Sequence, residues 1–266
     1  MDRHAVYREG LFASTRAIMV DPANDARAPM TSLFEPAPVP VIPVTGEEAL
    51  FPINRIFCVG RNYAAHAREM ADEPQREAPI WFTKASAALC HAGGTIPYPP
   101  GTRDCHYEME LVVAIGSAGF RVREADAMAL VFGYACGLDL TRRDLQNAAK
   151  DTRYPWDTGK DFENAAVIAP LTRAADFGPL GPQRLSLTQN GVVKQDAPLG
   201  DMIWSVAELI ADLSTMYHLV PGDLIYTGTP AGVGPIAPGD TLQGTIAGLA
   251  PLRLTIAEPE ASPAST

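Results

Sequence analysis

The sequence predicts an α+β fold in which β-structure predominates, built around one main domain. Proline and glycine are both frequent, with 24 and 22 residues among 266, and this composition favours short strands and turns over a helical bundle. Hydrophobic residues make up 47% of the chain, which is enough for a sizeable core at this length. Short apolar segments bounded by turn residues recur from Leu50 onwards, as is typical of many strands and few helices.

The first half of this domain is predicted to alternate strands with short helices. Strands are expected at residues 53–59, 80–84, 107–115 and 133–138, and helices at 61–70, 124–132 and 141 to about 150. Thr141 and Asp144 have the spacing of a capping box, which places the start of the third helix there.

The second half carries clearer local signals. Ser205 and Glu208 form a capping box ahead of apolar residues at helical spacing, and Trp204 and Leu209 occupy the positions of a hydrophobic staple. The dipeptide 190–191 is Asn-Gly between β-prone segments, which predicts a hairpin. Residues 241–256 are expected to form two further strands.

The two ends of the chain differ in composition from the rest. Prolines at positions 36, 38, 40 and 43 favour extended backbone, so residues 1–48 are expected to form a flexible or extended arm and 258–266 a flexible tail. Met30 is a second candidate for the first residue of the native protein. Residues 49–257 then form the folded domain.

The charge and cysteine content limit the partners and the compartment. With 31 acidic and 21 basic residues, the formal net charge is −10, which argues against nucleic acids or anionic membranes as partners. No apolar run in the sequence reaches the roughly 20 residues that span a bilayer, and no secretory signal is visible. The four cysteines lack C-x-x-C spacing and are expected to be buried or semi-buried free thiols in a reducing cytoplasm.

Three carboxylates are candidates for a metal site. Glu108 and Glu110 lie two apart on a predicted strand and therefore point to one face, and Asp139 ends the next apolar segment. The pair could instead lie on a solvated strand face, and Asp139 could cap the following helix. Without cysteine or histidine at ligand spacing, such a group suits Mg²⁺ or Mn²⁺ rather than zinc.

Other candidates come from a helix and two loops. His66 and Glu69, at i and i+3, could form a water-activating pair or an exposed ion pair. Lys160 lies in a loop with aromatic residues and glycine, where a solvated surface charge is the alternative. The glycine-rich segment 226–234 lacks the spacings of nucleotide-binding loops, but it could offer donors to a small anion.

Eight segments of the chain resemble the fumarylacetoacetate hydrolase family in that family's order. They are VGRNYAAHAREM, WFTKAS, HYEMELVVAIG, GYACGLDLTRRDLQ, PWDTGKDF, LTQNG, MIWSVAELIADLS and PGDLIYTGTPAGVGP, and the match covers residues 50–256. The resemblance implies a mixed β-roll with peripheral helices and a homodimer. Within the family the motifs are most similar to acylpyruvate hydrolases, which cleave a carbon–carbon bond in 2,4-dioxo acids.

The resemblance also implies roles for single residues. The metal ligands would be Glu108, Glu110 and Asp139, binding Mg²⁺ or Mn²⁺, with Ca²⁺ able to substitute in a crystal. The other roles are water activation by His66 and Glu69, binding of the substrate and its enolate by Lys160 and Gln146, and contact with the pyruvoyl carboxylate by Thr229.

The expected substrate is fumarylpyruvate, cleaved to fumarate and pyruvate in the degradation of aromatic compounds through gentisate. Two alternatives use the same metal site: an oxaloacetate decarboxylase and a 2-hydroxyhepta-2,4-diene-1,7-dioate isomerase/decarboxylase. A binding protein that has lost catalysis is a third, which the filled catalytic positions disfavour.

Two positions depart from patterns seen in relatives. Many relatives have Lys-Pro where this chain has Lys84-Ala85, and Lys84 is counted among the candidate substrate-binding residues. Arg142 replaces a neutral residue of some relatives, and we expect its planar guanidinium to bind the distal carboxylate of a fumaryl tail.

Overall fold

The computed structural model of the chain describes residues 33–69 and 76–261, without the side chains of residues 67–69. From Val39 onwards the described residues form one compact unit, whereas 33–38 belong to a separate one. Ile42 and Val44, within the expected N-terminal arm, are buried in the larger unit. The domain boundaries expected from the sequence stay predictions, and Met30 and residues 262–266 lie outside the described residues.

Short strands make up most of the regular structure. In chain order they are β1 Val41–Pro43, β2 Leu50–Pro52, β3 Ile56–Gly60, β4 Ile80–Lys84, β5 Leu89–His91, β6 Thr95–Pro97, β7 Cys105–Tyr107, β8 Met109–Ile115, β9 Val131–Asp139, β10 Thr141–Arg142, β11 Ala166–Ile168, β12 Thr172–Arg173, β13 Arg184–Gln189, β14 Val192–Pro198, β15 Leu224–Tyr226, β16 Gly234–Pro235, β17 Thr241–Ile246 and β18 Leu252–Ala257.

Helices are few among the described residues. The α-helices are α1 Ala64–Glu69, α2 Glu124–Ala127, α3 Arg143–Thr152, α4 Asp157–Lys160, α5 Ala174–Phe177 and α6 Val206–Met216, and 3₁₀-turns occupy Ser86–Ala88, Met128–Leu130 and Leu199–Asp201. None of these helices combines the length and apolar character needed to cross a bilayer.

The strands form one large mixed sheet and a second, smaller sheet. The eight-stranded sheet has the order β4-β3-β15-β8-β9-β11-β5, with β12 also paired to β9. The five-stranded sheet has the order β14-β13-β17-β18-β6, and two small sheets contain β10-β7-β16 and β1-β2. The β-rich fold predicted from composition is confirmed.

Strand β8 lies inside the large sheet and is buried along all of its length. Leu111 and Val113 pack into a core shared with residues of the five-stranded sheet, such as Leu187. Val112 and Ala114 pack on the other face, into a second apolar cluster. Because side chains alternate between faces along a strand, both faces of the sheet are covered, and polar groups on β8 are enclosed by protein.

Several predicted elements are confirmed with small shifts. The strand at 80–84 and the two strands within 241–256 are present. The helix predicted from residue 61 begins only at Ala64, because Arg61 has a positive φ of 61° and Tyr63 pairs with Met202 in a β-bridge. The helix predicted at 124–132 ends early, since Val131 already opens β9.

The capping box predicted at Thr141 and Asp144 is wrong. Thr141 belongs to β10, and its hydroxyl donates to the carbonyl of Asp139 at 3.2 Å. The Asp144 carboxylate instead accepts from the hydroxyl of Thr102 at 2.6 Å. Helix α3 therefore begins at Arg143, two residues later than expected.

Candidate active site

Three buried carboxylates meet where β8 and β9 pair. Glu108 and Glu110 flank Met109, the first residue of β8, and Asp139 is the last residue of β9. The antiparallel pairing places Met109 opposite Leu138, and the amide of Asp139 donates to the carbonyl of Glu108 at 2.9 Å. One carboxylate oxygen from each acid lies within 4.8 Å of those of the other two. At most 5% of any of the three residues is exposed.

Three cations surround these carboxylates. Lys160 Nζ donates to Glu108 Oε2 and to Asp139 Oδ2, each at 2.7 Å, and also to the hydroxyl of Thr141. Arg143 Nη2 donates to Glu108 Oε1. Lys84 Nζ lies 2.8 Å from Asp139 Oδ1. Buried charges are tolerated when they are paired. The three cations pair with Glu108 and Asp139, whereas none of them contacts Glu110.

The carboxylates differ in their electrostatic environments. Burial alone would raise the pKa of Glu108, but the positive charges of Lys160, Arg143 and His66 outweigh it and hold that pKa well below its ordinary value. Burial raises the pKa of Glu110 well above its ordinary value, and the negative charges of Asp139 and Glu108 add to this. The amide of Gly228 donates to Glu110 Oε2 at 2.7 Å.

The donor set fits a hard divalent cation. All three groups offer oxygen, which Mg²⁺ and Mn²⁺ prefer. Asp139 Oδ1 is buried, and among the described residues it has no hydrogen-bond partner with suitable geometry, although Lys84 Nζ lies 2.8 Å away. A carboxylate oxygen has two lone pairs, so this atom can still bind a metal ion beside its ion pair with Lys84. The repulsion that raises the pKa of Glu110 would also be relieved by a bound cation.

These carboxylates line a cavity together with residues from five segments of the chain. The lining residues are Val59, Gly60, Arg61, His66, Phe82, Glu108, Glu110, Asp139, Arg143, Gln146, Lys150, Trp156, Lys160 and Thr229.

His66 reaches this cavity from α1. Its side chain is 7% exposed, and its charge is one of the causes that lower the pKa of Glu108. The exposed ion pair considered as an alternative is therefore not the environment of His66. Glu69 is the last residue of α1, but its side chain lies outside the described part of the chain, and its pairing with His66 stays a prediction.

Gln146 and Thr229 line the same cavity. Gln146 Oε1 accepts from Arg143 Nη1 at 2.6 Å. Thr229 Oγ1 donates to the carbonyl of Met109 at 2.8 Å and accepts from Gln195 Nε2 at 2.8 Å. The structure thus brings both residues to the carboxylates, whereas their contacts with substrate stay predictions.

Arg142 and Lys84 do not line the cavity. The guanidinium carbon of Arg142 lies 4.2 Å from the centroid of the Phe162 ring, and Nη1 is 3.4 Å from the carbonyl of Thr158. Arg143, its neighbour, is the arginine that faces the carboxylates. Lys84 lies behind Asp139, where it donates to the carbonyls of Leu140 and Lys160. Arg142 thus lies outside the lining of this cavity, and its contact with the distal carboxylate of a substrate stays a prediction.

Sequence reasoning overlooked three cations of the lining: Arg61, Arg143 and Lys150. A signal for two of them was available. Arg143, Gln146 and Lys150 are spaced by three and four residues, which puts them on one face of a helix. Gln146 had been assigned to the site, so the periodicity of α3 would have led to the other two.

Comparison with known proteins relates this chain to enzymes over most of their length. A family model described as "Fumarylacetoacetate (FAA) hydrolase C-terminal" matches residues 55–257. A fumarylpyruvate hydrolase of a Ralstonia species is 50% identical over 185 residues, which are 69% of this chain and 95% of that protein. An oxaloacetate tautomerase of Escherichia coli (strain K12) is 37% identical over 199 residues, 74% of this chain and 90% of that protein.

A solved structure shares the fold. The crystal structure of fumarylpyruvate hydrolase from Pseudomonas aeruginosa in complex with Mn²⁺ and pyruvate aligns with a TM-score of 0.82 and 42% identity, covering 86% of this chain and 100% of that one. The resemblance first recognised in eight sequence segments is therefore confirmed, and the chain belongs to the fumarylacetoacetate hydrolase family.

Proposed function

We propose that this protein is a divalent-metal-dependent hydrolase that cleaves the carbon–carbon bond of an acylpyruvate, with fumarylpyruvate as the favoured substrate and fumarate and pyruvate as the products. The observation that carries this proposal is the buried group of Glu108, Glu110 and Asp139, enclosed by cations in one cavity. The 50% identity to a fumarylpyruvate hydrolase supports the choice of substrate. The setting would be the degradation of aromatic compounds.

Mg²⁺ or Mn²⁺ is the proposed cofactor, held by the same three carboxylates. Mn²⁺ is present in the similar Pseudomonas aeruginosa structure, and oxygen ligands suit both ions as well as Ca²⁺. When bound, such a cation supplies Lewis acidity, drawing electron density from the C2 oxygen of a 2,4-dioxo acid.

His66 is the proposed general base. In its neutral form it would take a proton from a water molecule, whose oxygen attacks the C4 carbonyl of the substrate. His66 lies in the cavity and is largely shielded from solvent, so that water would be held close to both the base and the substrate. Glu69 would orient the imidazole.

Lys160 would stabilise the charge that develops when the C3–C4 bond breaks. The electron pair of that bond passes to the pyruvate fragment as an enolate, and a proton delivered to C3 completes pyruvate. Burial would lower the pKa of Lys160, but Asp139 and Glu108 outweigh this and raise it. The ammonium would provide a positive charge beside the enolate oxygen. Gln146 and Thr229 would complete the binding site for the pyruvoyl group.

A second carboxylate on the substrate matches the charges of the cavity. The charges of Lys160, Arg143 and Lys84 already equal in number those of the three carboxylates. A divalent cation would leave the cavity with an excess of positive charge. An acylpyruvate whose tail ends in a carboxylate compensates that excess better than one with a neutral tail.

The remaining proposals concern the surroundings of the enzyme. The substrate is a small 2,4-dioxo acid, and the net charge of −10 disfavours nucleic acids and anionic membranes as partners. A cytoplasmic location agrees with cysteines kept as free thiols. The homodimer is proposed from the family alone.

The experiment follows the absorbance of the 2,4-dioxo group when the purified protein is mixed with fumarylpyruvate, while pyruvate is assayed. We expect loss of absorbance with one pyruvate per molecule consumed in the presence of Mn²⁺ or Mg²⁺, and none with EDTA or in Glu110→Gln. Oxaloacetate is tested in parallel, because a 37% identical relative is an oxaloacetate tautomerase. Interconversion of oxaloacetate tautomers, or release of CO₂, without turnover of fumarylpyruvate would contradict the proposal.

A further inference from the structure

We propose that Gln195 is a positioning residue that fixes the backbone between the two glutamates of the carboxylate group. Its importance for catalysis rests on the function proposed above, but its effect on metal binding does not. Gln195 lies on β14 of the five-stranded sheet, and none of it is exposed. No motif or predicted role had singled it out.

All of the hydrogen bonds of the Gln195 amide point towards the site. Oε1 accepts from the backbone amide of Met109 at 3.0 Å. Nε2 donates to Thr229 Oγ1 at 2.8 Å and to the carbonyl of Pro230 at 2.9 Å. One side chain therefore ties together the start of β8 and the glycine-rich loop that follows β15.

These bonds hold the part of β8 that extends beyond the end of β15. On one side β8 pairs with β9, and on the other with β15, which ends at Tyr226. Beyond that point both the amide and the hydroxyl of Thr227 donate to the carbonyl of Leu111, and the hydroxyl of Thr229 donates to the carbonyl of Met109. Gln195 then satisfies the amide of Met109, so both backbone groups of this residue are held.

These contacts affect the carboxylate group because they hold the backbone of Met109. Met109 lies between Glu108 and Glu110, so rotation of its backbone would change the angle between the two carboxylates. The loop is held as well, and within it the amide of Gly228 donates to Glu110 Oε2. Outer contacts that orient metal ligands commonly matter almost as much as the ligands themselves.

Packing alone does not account for a glutamine here. The neighbouring strand β13 contributes Leu185 and Leu187 to the core, and an apolar side chain at 195 would avoid the cost of burying an amide. That cost is offset only because each polar atom of Gln195 finds a partner. The hydroxyl hydrogen of Thr229 is committed to Met109, which makes Thr229 the second half of the same connection.

The test compares Gln195→Met with Gln189→Met in the full-length protein. Both variants replace a glutamine by an apolar side chain of similar size. The amide of Gln189, however, donates to Pro235 and Asp240, which do not line the cavity. Binding of Mn²⁺ is measured by calorimetry, and the melting temperature is measured in EDTA. We expect the dissociation constant of Mn²⁺ to rise by about 10- to 100-fold in Gln195→Met and to stay unchanged in Gln189→Met.

A lower melting temperature with unchanged Mn²⁺ affinity in Gln195→Met would overturn the proposal, because it would reduce Gln195 to a structural residue. Thr229→Val provides a second route if Gln195→Met does not fold. It breaks the same connection and should also weaken Mn²⁺ binding. If both single variants fold, the double variant should lose less than the sum of the two effects, and full additivity would count against the proposal. Because Mn²⁺ is measured without substrate, failure to turn over fumarylpyruvate leaves this test intact.

Discussion

Lys84 shows how single residues allow three acids to stay close together inside the protein. Its ammonium is fully buried, lies 2.8 Å from Asp139 Oδ1 and donates to the carbonyl of Leu140 at 3.1 Å. It also donates to the carbonyl of Lys160, so it joins the end of β9 to α4. Lys84 thus acts on the site from behind, as a counter-charge for Asp139.

Replacement of Lys84 by methionine should destabilise the metal-free protein. Removing one partner of a buried ion pair leaves the other charge uncompensated, so we expect the free energy of unfolding in EDTA to fall by about 3–5 kcal/mol. A divalent cation would restore a counter-charge to Asp139. The rise in melting temperature on adding Mn²⁺ should therefore be larger in Lys84→Met than in the wild type.

The matched control for this variant is Lys194→Met, because Lys194 lies on the exposed side of β14. The free energy of unfolding of the wild type, Lys84→Met and Lys194→Met is measured by urea unfolding with and without Mn²⁺. Equal stability of Lys84→Met and Lys194→Met in EDTA would show that the ion pair with Asp139 contributes little.

At the same scale, the sequence identified the acids better than the cations. The spacing of Glu108 and Glu110 within an apolar strand, and an acid at the end of the next one, made the carboxylates candidates, and the family resemblance assigned them to a metal ion. Arg142 and Arg143 are adjacent in the sequence, but Arg142 ends β10 whereas Arg143 begins α3. The sequence alone does not show that Arg143 is the arginine that binds Glu108.

At the scale of the element, local hydrogen bonds decide what a sequence can predict. The box at Ser205 is confirmed by both of its bonds, from the Glu208 amide to Ser205 Oγ at 3.3 Å and from the Ser205 amide to Glu208 Oε2 at 2.9 Å. The turn at 190–191 is confirmed by positive φ at both residues, 53° and 79°. At Thr141 a tertiary partner of Asp144, the hydroxyl of Thr102, competes with the local pattern.

Helix α3 presents one face to the cavity, and Lys150 lies on that face. Arg143, Gln146 and Lys150 follow each other at helical spacing and all line the cavity. Arg143 contacts the carboxylates, whereas Lys150 lies two turns further along the helix, 5.4 Å from the centroid of the Trp156 ring. This order suits a substrate whose pyruvoyl group lies at the carboxylates and whose tail extends along α3.

Lys150→Met should therefore change tail selectivity. We expect KM for fumarylpyruvate to rise by about tenfold, corresponding to the loss of one charge-assisted contact, with little change in kcat. KM for acetylpyruvate, whose tail has no carboxylate, should stay the same. Steady-state kinetics give KM for both substrates in the wild type, in Lys150→Met and in the control variant Lys194→Met. Equal effects on the two substrates would contradict a contact with the tail carboxylate.

At the scale of the whole molecule, the site depends on pairing between distant segments. The antiparallel register of β8 and β9 places Glu108 beside Asp139. Lys160 lies on α4, Lys84 on β4 and Gln195 on β14. No periodicity in the sequence predicts contacts between residues that are so far apart in the chain. Family resemblance supplied part of them, but Gln195 was missed because its hydrogen bonds are visible only when β14 and β8 are seen together.

The same enclosed core contains three thiols. Cys58, Cys105 and Cys136 are fully buried, whereas Cys90 is half-buried. Burial raises the pKa of Cys105 and of Cys136 to about 12, from an ordinary value of 9.0. The folded protein therefore keeps these thiols protonated at a pH where the unfolded chain releases their protons.

This difference predicts alkaline destabilisation. The stabilising contribution of each thiol is complete below the pKa of the unfolded chain, near pH 9, and is lost as the pH rises towards about 12. Each proton costs about 1.4 kcal/mol per pH unit. In Cys105→Ala/Cys136→Ala, the fall in unfolding free energy with pH should be shallower by about 2 kcal/mol per pH unit just above pH 9, approaching about 3 once the unfolded thiols are fully ionised. Urea unfolding between about pH 9 and about pH 10.5 measures the slopes.

The alanine substitutions lower the free energy of unfolding at every pH through the cavities they leave. Only the slope of the stability against pH is therefore diagnostic, and parallel curves would contradict the prediction.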